Sequence, residues 1–217
     1  QNNLNRRDLK NELSNFIKAA RLADVALIYY SGYQISLDHK TYLTPIGEVP
    51  TTIGLAQLSM VSLEALMQRF SVAASQNVLI VEGGWKSKFA QKLSKLVGAN
   101  SVEYLGSTIA DLSTYDLGDG KGRLVTVAAG SARELTPPEN GAVSKFTSVL
   151  SDELNKSGVE LDDAFLKTAA ILSKDGTKGS GATVYGDLTQ SLYLAGVPLV
   201  VPARSDLNSE AELKWVT

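Results

Sequence analysis

Two continuous apolar runs stand out along the chain, and each is followed at once by small and polar residues. The runs span residues 24–31 and 77–82, and neither alternates between apolar and polar positions as a half-exposed strand would. Such runs are typical of strands buried on both faces of a parallel sheet. Ligand-binding groups of open α/β sheets gather where the strands end, so the loops after both runs are predicted to line a cleft. The candidates for this cleft are Ser31, Gly32, Tyr33, Gln34, Glu82, Gly83 and Trp85.

The rest of the pattern predicts helices and further strands. Asn5 can cap a first helix, which carries apolar residues at helical spacing as far as Ala20. Ser62 is predicted to cap a second helix, after a Pro/Thr/Gly-rich separator at residues 50–54. The remaining predicted elements are a hairpin or loop at 33–45, a helix from Ser87, a short strand at 101–105, a strand at 123–129, helices near 144–156 and 161–173, and a strand or hairpin at 182–195. This order predicts an α/β fold, with right-handed crossovers and helices on both faces of a parallel sheet.

Composition narrows the classes of function. At 217 residues the chain can bury the core of a single domain. Its 21 basic and 23 acidic residues give a formal charge of -2 without a Lys/Arg cluster, so no nucleic-acid partner is predicted. No apolar run is long enough for a membrane span and no signal-peptide pattern is found, which leaves a cytoplasmic and a periplasmic or secreted location equally open. The absence of cysteine excludes disulfides and thiol chemistry.

Segments along most of the chain carry a family resemblance. Residues 29–34 and 82–85 are similar to the two catalytic strand ends of bacterial caspase-like proteins, the metacaspases and orthocaspases, which end Tyr-Tyr-Ser-Gly-His-Gly and Asp-Ala-Cys-Arg. Four further segments resemble family motifs in the same order, namely 42–45, 124–130, 144–150 and 158–165. The resemblance implies a caspase-like three-layer sandwich, in which a mostly parallel sheet has helices on both faces.

The resemblance covers the chain as one domain, residues 1–217. It divides this domain into a large-subunit-like part at 1–97, a linker-like part at 98–122, a small-subunit-like part at 123–196 and a C-terminal tail at 197–217. It also implies that the first strand of the family, which lies inside the sheet, is absent from this chain and leaves a gap. A longer form of the chain, a segment removed from a precursor or another polypeptide is expected to fill that gap.

Both catalytic positions implied by the resemblance hold residues that cannot do peptidase chemistry. Tyr33 stands where the family has its general-base histidine, and Gly84 stands where it has the cysteine nucleophile. A glycine cannot attack a peptide bond, and a phenol, which ordinarily ionises only near pH ~10, is a poor base at neutral pH. His39, the one histidine of the sequence, is predicted to lie on the surface. No catalytic residue is therefore predicted, and the chain is expected to be a pseudo-peptidase.

Other charged and aromatic positions are candidates for binding. Glu82 falls where the family carries an aspartate that receives a basic side chain of the substrate, so basic-peptide binding stays open. Trp85 replaces an arginine of the family and either fills part of the cleft or packs at a turn. Some family members bind calcium, but the spacing of Asp116 and Asp119 matches no EF-hand, so no metal site or cofactor is predicted and calcium is kept as an alternative. Tyr29 and Tyr30 are assigned to strand packing.

The function implied by these observations is protein binding or regulation by a catalytically inactive caspase-homology domain. Tyr33 and Gln34 are expected to project into the former cleft, where they either bind a peptide or fill the space. The predicted partner is a protein or peptide, which includes another caspase-like subunit paired through residues 182–195, or a second copy of the chain. Two alternatives stay open: a hydrolase that uses Ser31 or Tyr33, and a structural module of a larger assembly.

Overall fold

The computed structural model of the chain is an α/β structure and describes residues 4–37, 40–46, 52–83, 95, 102–103, 123–129, 143–174, 182–185, 188 and 190–197. The helices in this part are α1 (Arg6–Ala20), α2 (Ile53–Ser59), α3 (Leu63–Phe70), α4 (Lys145–Leu154) and α5 (Leu161–Lys174). The strands are β1 (Val25–Ser31), β2 (Gln34–Leu37), β3 (Lys40–Leu43), β4 (Val61–Ser62), β5 (Gln76–Glu82), β6 (Val102–Glu103), β7 (Arg123–Ala129) and β8 (Ala182–Tyr185). The predicted α/β class is confirmed.

The larger of the two sheets contains both apolar runs. Its strand order is β1-β5-β7-β8, in which β1, β5 and β7 are parallel and β8 is antiparallel to β7. The register places Ser31 opposite Glu82, so β1 and β5 end side by side. Every residue of β5 is buried because the strand has a neighbour on each side and helices on each face. The prediction that the two runs form parallel strands is confirmed, and β5 is buried as predicted. The predicted burial of the first run was wrong, since Ala26 is the one buried residue of β1, which has a single neighbouring strand among the described residues.

Alternate residues of β5 pack against different helices and so define the three layers. Leu79 and Val81 face a core formed with α1 and α3, which includes the fully buried Phe70. Val78 and Ile80 face the opposite core, which is formed with α4 and α5. This two-residue alternation is what a strand imposes on its side chains. Among the described residues, two helices pack on each face of the sheet, so the prediction of helices on both faces is confirmed.

A smaller antiparallel sheet follows the end of β1. Its order is β4-β3-β2-β6, and β2 and β3 form the hairpin that was predicted for residues 33–45. Its apolar side packs with α2 around Ile35, Leu37 and Met60. The short strand predicted near 101–105 corresponds to β6, which pairs with β2. This hairpin matters for the site because it holds the loop after β1 against the large sheet.

Helix caps fix where several helices begin. The side chain of Asn5 accepts a hydrogen bond from the backbone N–H of Asp8 at 3.0 Å, as predicted for the start of α1. Ser62 likewise accepts from the N–H of Ala65 at 3.2 Å at the start of α3. Both predicted caps are confirmed.

Two predictions about element boundaries were wrong. The separator predicted at residues 50–54 contains the start of α2, because Thr52 caps it by accepting from the N–H of Leu55 at 3.3 Å. The strand predicted at 182–195 ends at Tyr185, and residues 190–197 are not a strand. The reason is that the Leu192 carbonyl accepts from the N–H of Leu161 at 2.8 Å, which holds this segment at the start of α5 instead of in a sheet.

Candidate functional site

Glu82 lies at the end of β5 and is only 2 % exposed. Its Oε2 accepts hydrogen bonds from the hydroxyls of Tyr29 at 2.6 Å, Thr147 at 3.0 Å and Ser31 at 3.2 Å. Several donors on one carboxylate offset the free energy lost when it leaves water, and they fix its orientation. We refer to Tyr29, Ser31, Glu82 and Thr147 as the hydroxyl cluster.

Three elements position the hydroxyl cluster. Tyr29 and Ser31 are two residues apart in β1, so they share a face of the sheet. The strand register then brings Ser31 opposite Glu82. Thr147 comes from the first turn of α4, where the cap residue Ser144 accepts from its N–H at 3.0 Å and donates to its Oγ1 at 2.9 Å. The helix cap therefore aims the Thr147 hydroxyl at the strand end.

The phenol of Tyr29 acts in this cluster as a donor. Burial and, secondly, the hydrogen bond to Glu82 raise the pKa of Tyr29 to about 12. The phenol also lies 2.6 Å from Oγ1 of Thr147, and either hydroxyl can donate to the other in place of donating to Glu82. Because its proton is held well above neutral pH, Tyr29 cannot replace a general base.

The loop after β1 is fixed through the backbone of Tyr33. Its carbonyl oxygen accepts from the Tyr30 hydroxyl at 2.8 Å, the Thr44 hydroxyl at 2.9 Å and the Thr44 N–H at 3.0 Å. Burial raises the pKa of Tyr30, so this donor keeps its proton. The Tyr33 side chain itself is 36 % exposed. The loop is therefore anchored by its backbone while the Tyr33 ring stays accessible at the rim.

Gln34 fills the space beside the end of β5. It is 6 % exposed, and its side chain lies directly on the α-carbon of Gly83. A methyl group on Gly83 would lie 2.5 Å from Cδ and 2.7 Å from Cγ of Gln34, which is closer than carbon atoms can approach. Of the two roles predicted for Gln34, filling the cleft agrees with this packing.

Gly32 permits a similar close approach on the other side of the loop. A methyl group there would lie 2.7 Å from the hydroxyl oxygen and 2.9 Å from Cζ of Tyr30. The missing side chain of Gly32 thus leaves room for the phenol that anchors Tyr33.

The structure brings six of the predicted cleft residues together at the ends of β1 and β5: Ser31, Gly32, Tyr33, Gln34, Glu82 and Gly83. Six other residues named from the sequence lie outside the described residues: His39, Gly84, Trp85, Ser87, Asp116 and Asp119. Their predicted roles stay predictions.

Sequence reasoning missed two members of the site. Tyr29 was assigned to packing, although its position two residues before Ser31 was a signal that both side chains point to the same face. Thr147 is 118 residues from Tyr29, and nothing in the sequence indicates that the two touch. Contacts of this kind arise only when the helix is docked on the sheet.

The described residues contain neither a metal site nor a membrane-spanning helix. Among them, no group of three or more His, Cys, Asp or Glu side chains is arranged to hold a metal ion. Within the same residues, no helix has both the length and the apolar character that crossing a membrane requires.

Comparison with known proteins adds a distant structural likeness. No protein-family model and no curated protein matches the chain. A solved structure to which it is similar is that of protein GSU0716 from Geobacter sulfurreducens, with 13 % sequence identity and a TM-score of 0.48. The alignment covers 87 % of this chain and 74 % of that chain. The function has therefore to be argued from the site itself.

Proposed function

We propose that the chain is a caspase-like domain that binds peptides or proteins and has no peptidase chemistry. The observation that carries the proposal is the geometry at the ends of β1 and β5. The two parallel strands end side by side, as the two catalytic strands of caspase-like proteins would. The side chain of Gln34, however, packs on Gly83, where a reacting peptide would enter. The arrangement of the strands supports the kinship, and the residues at their ends support the loss of activity.

The chemistry available at the strand ends supports an inactive site. The sequence has no cysteine, and Gly84 has no side chain with which to attack. The Ser31 hydroxyl donates to Glu82 at 3.2 Å. A carboxylate is too weak a base to make a serine hydroxyl nucleophilic by itself, and the phenol of Tyr29 is a proton donor. No nucleophile and base are therefore paired among the described residues of the site.

The rim of the same site offers a contact surface. The Tyr33 ring is partly exposed on an anchored backbone, so that little conformational freedom is lost when a partner packs against it. Tyrosine combines a large apolar face with a polar tip and is enriched where proteins contact partners. Tyr33 is therefore the residue on which we expect a peptide to pack.

Glu82 gives this binding a preference for basic side chains. A guanidinium or ammonium group is a stronger donor to a carboxylate than a hydroxyl is. Tyr29 is 41 % exposed, so it is a donor of the hydroxyl cluster that a basic side chain can reach and replace. We expect peptides with arginine to bind more tightly than peptides with aspartate.

Calorimetric titration with two short peptides tests this function. The probes are acetyl-Val-Arg-Val-amide and acetyl-Val-Asp-Val-amide, titrated into the unaltered chain, Tyr33→Ala and Glu82→Gln. Lys167→Gln, on the exposed side of α5, is the matched control. We expect the arginine peptide to bind the unaltered chain and the control equally, and to lose affinity by about tenfold in both site variants, as when one anchoring contact is removed. Equal affinity for both peptides, or no binding of either, would contradict the proposal.

The hydrolase alternative has one observation in its favour, the contact between the Ser31 hydroxyl and Glu82. In this alternative the Ser31 hydroxyl would have to attack a carbonyl carbon instead of donating to Glu82. Among the described residues no second base contacts this hydroxyl. Peptide turnover that depends on Ser31 would support this alternative over the binding domain.

Partnership with another caspase-like subunit is compatible with the position of β8. Among the described strands, β8 pairs only with β7 and ends the order of the sheet. Native mass spectrometry of the chain over a range of concentrations tests this form of the proposal. A dimer whose abundance grows with the concentration of the chain would support this form of the proposal.

A further inference from the structure

The charged side chains of helix α1 are divided between two flanks. The basic side chains fall within roughly 80° of Lys10 around the helix axis, whereas Asp8 and Glu12 lie roughly 160° away from it. The basic side chains are all exposed, and they are Arg6, Arg7, Lys10, Lys18 and Arg21. The nearly balanced charge of the whole chain, and the spread of these residues along the sequence, hide this separation.

Helix α3 adds a cation to the basic flank of α1. Nη2 of Arg69 donates to Oγ of Ser14 at 3.4 Å. Ser14 lies about 6 Å along the helix axis from both Lys10 and Lys18, so the Arg69 guanidinium continues the line of positive charges between them. Glu64, the acidic residue of α3, lies roughly 140° from Arg69 around that helix. We refer to the six cations as the basic row, which consists of Arg6, Arg7, Lys10, Lys18, Arg21 and Arg69.

The basic row is uncompensated within the described part of the chain. No carboxylate of the described residues forms an ion pair with any of its cations. Nζ of Lys10 donates instead to the uncharged carbonyl of Leu58 at 3.1 Å. Burial and, secondly, the charge of Arg6 lower the pKa of Lys10. An anionic partner would therefore relieve the repulsion among these cations.

Two exposed apolar side chains lie at the end of the basic row. Leu22 directly follows its last cation in α1 and is 97 % exposed, and Val72 comes three residues after Arg69 and is 63 % exposed. They belong to the loops that precede β1 and β5, and the first residues of these two strands are paired, so the loops lie side by side. Asp24 is the acidic residue of these loops. Cations and projecting apolar side chains thus share one region of the surface.

We propose that the basic row, together with Leu22 and Val72, binds the surface of an anionic lipid bilayer. The cations of α1 extend over roughly 22 Å, and a surface covered with anionic headgroups meets them without any matched register. A bilayer also accepts single apolar side chains between its headgroups, whereas a folded protein needs a pocket for each of them. This inference does not rest on the proposed function, because Leu22 and Val72 lie at the opposite end of the sheet from Glu82.

Sedimentation with lipid vesicles tests this binding. The unaltered chain is mixed with vesicles of phosphatidylcholine alone, and with vesicles that also contain about 30 % phosphatidylserine. We expect it to bind the anionic vesicles only, and to bind them more weakly as salt is added, because salt screens the headgroup charges. No binding to the anionic vesicles at low salt, or equal binding to both kinds of vesicle, would overturn the proposal.

Neutralisation of two cations tests whether the basic row is the surface that binds. Lys18→Gln/Arg69→Gln should bind the anionic vesicles about 25-fold more weakly, at about fivefold for each cation. The matched control is Lys167→Gln/Lys174→Gln, in which two exposed cations are removed from α5 on the other face of the sheet. Lys174 lies in the last turn of α5 as Lys18 does in α1, so the control also matches the interaction with the helix dipole. An equal loss of binding in the control would contradict the assignment of the basic row.

Removal of Leu22 separates a bilayer from other anionic partners. Leu22→Ser should bind the anionic vesicles about tenfold more weakly, since a leucine that leaves water contributes at least this much. Leu166→Ser, an equally drastic change at an exposed leucine of α5, should have no effect. Equal binding of Leu22→Ser and the unaltered chain would mean that charge alone is recognised, as on an acidic polypeptide or a nucleic acid, and would overturn the bilayer as the partner.

A fluorescent label reports whether position 22 enters the lipid. The sequence has no cysteine, so Leu22→Cys can be labelled at this one site with the environment-sensitive fluorophore NBD. Its emission should shift to shorter wavelength when anionic vesicles are added, because the label then moves from water into apolar surroundings. The same label on Leu166→Cys should show no shift. A shift at position 166 but not at position 22 would place the lipid contact on the other face of the sheet and overturn the inference.

Discussion

Substitution of Gly83 by alanine tests whether Gln34 really fills the cleft. The added methyl group would lie 2.5 Å from Cδ and 2.7 Å from Cγ of Gln34, so one of the two must shift. Overpacking of this kind destabilises by about 1–3 kcal/mol. Gly83 is not among the described glycines with positive φ, so the backbone accepts alanine and the unfolded chain loses entropy, which stabilises by about 0.4–1 kcal/mol. We therefore expect Gly83→Ala to lower the free energy of unfolding by about 1–2 kcal/mol.

A double-mutant cycle assigns this loss to Gln34. Gln34→Ala removes the Cγ, Cδ and Nε2 atoms that the methyl group would meet. When Gln34 is already alanine, Gly83→Ala should not lower the free energy of unfolding. The coupling free energy between the two positions should then be at least about 1 kcal/mol. Urea unfolding of the four chains, followed by circular dichroism, measures it.

Gly54→Ala is the matched control for the cycle. A methyl group on Gly54 meets nothing within 4 Å, and the residue lies in the helix α2. Alanine there should stabilise by about 0.5–1 kcal/mol. The packing of Gln34 on Gly83 is refuted if Gly83→Ala behaves like Gly54→Ala, or if its effect is the same with and without the Gln34 side chain.

Three further predictions concern stability. The side chain of Asn77 is fully buried and hydrogen-bonds to the Ser71 carbonyl and to both backbone groups of Ala74. Asn77→Ala should therefore lower the free energy of unfolding, measured by urea titration, by about 2–4 kcal/mol. A decrease of less than about 1 kcal/mol would contradict these hydrogen bonds. Ser62→Ala should destabilise by about 1 kcal/mol in the same assay because α3 loses its cap, whereas Ser62→Asp should retain most of the stability. The third follows from the pKa of Tyr29, raised from 10.0 to about 12, which means that the folded chain opposes ionisation of this phenol. The protonated Tyr29 phenol then stabilises the folded chain fully below pH 10, and this stabilisation is lost as the pH rises toward 12. The free energy of unfolding should therefore fall more steeply over this range in the unaltered chain than in Tyr29→Phe. Parallel curves for the two chains would contradict the raised pKa.

The sheet and its helices could largely be predicted from the sequence because their signals are local. The apolar runs of β1 and β5 and the caps at Asn5 and Ser62 depend on residues close together in the chain. Helix α2 was missed because it has only seven residues and begins among threonine and glycine residues that are typical of a loop. Its cap and its packing on the small sheet outweigh that local preference.

The candidate site was predicted only in part. Because β1 and β5 are neighbouring parallel strands, the proximity of Ser31 to Glu82 at their ends could be predicted from the sequence. The contact of Thr147 with Glu82 depends on how α4 docks against the sheet, and the contact of Gln34 with Gly83 depends on how the hairpin folds back. Both link parts of the chain that no periodicity or motif connects.

Peptide hydrolysis by the purified chain most directly tests the claim that the strand ends have no peptidase chemistry. The substrates are pooled fluorogenic peptides with arginine, lysine or aspartate before the reporter group, supplied with and without calcium. We expect no release above the protein-free blank for the unaltered chain, Ser31→Ala and Tyr33→Phe alike. Release by the unaltered chain that disappears in either variant would contradict the claim.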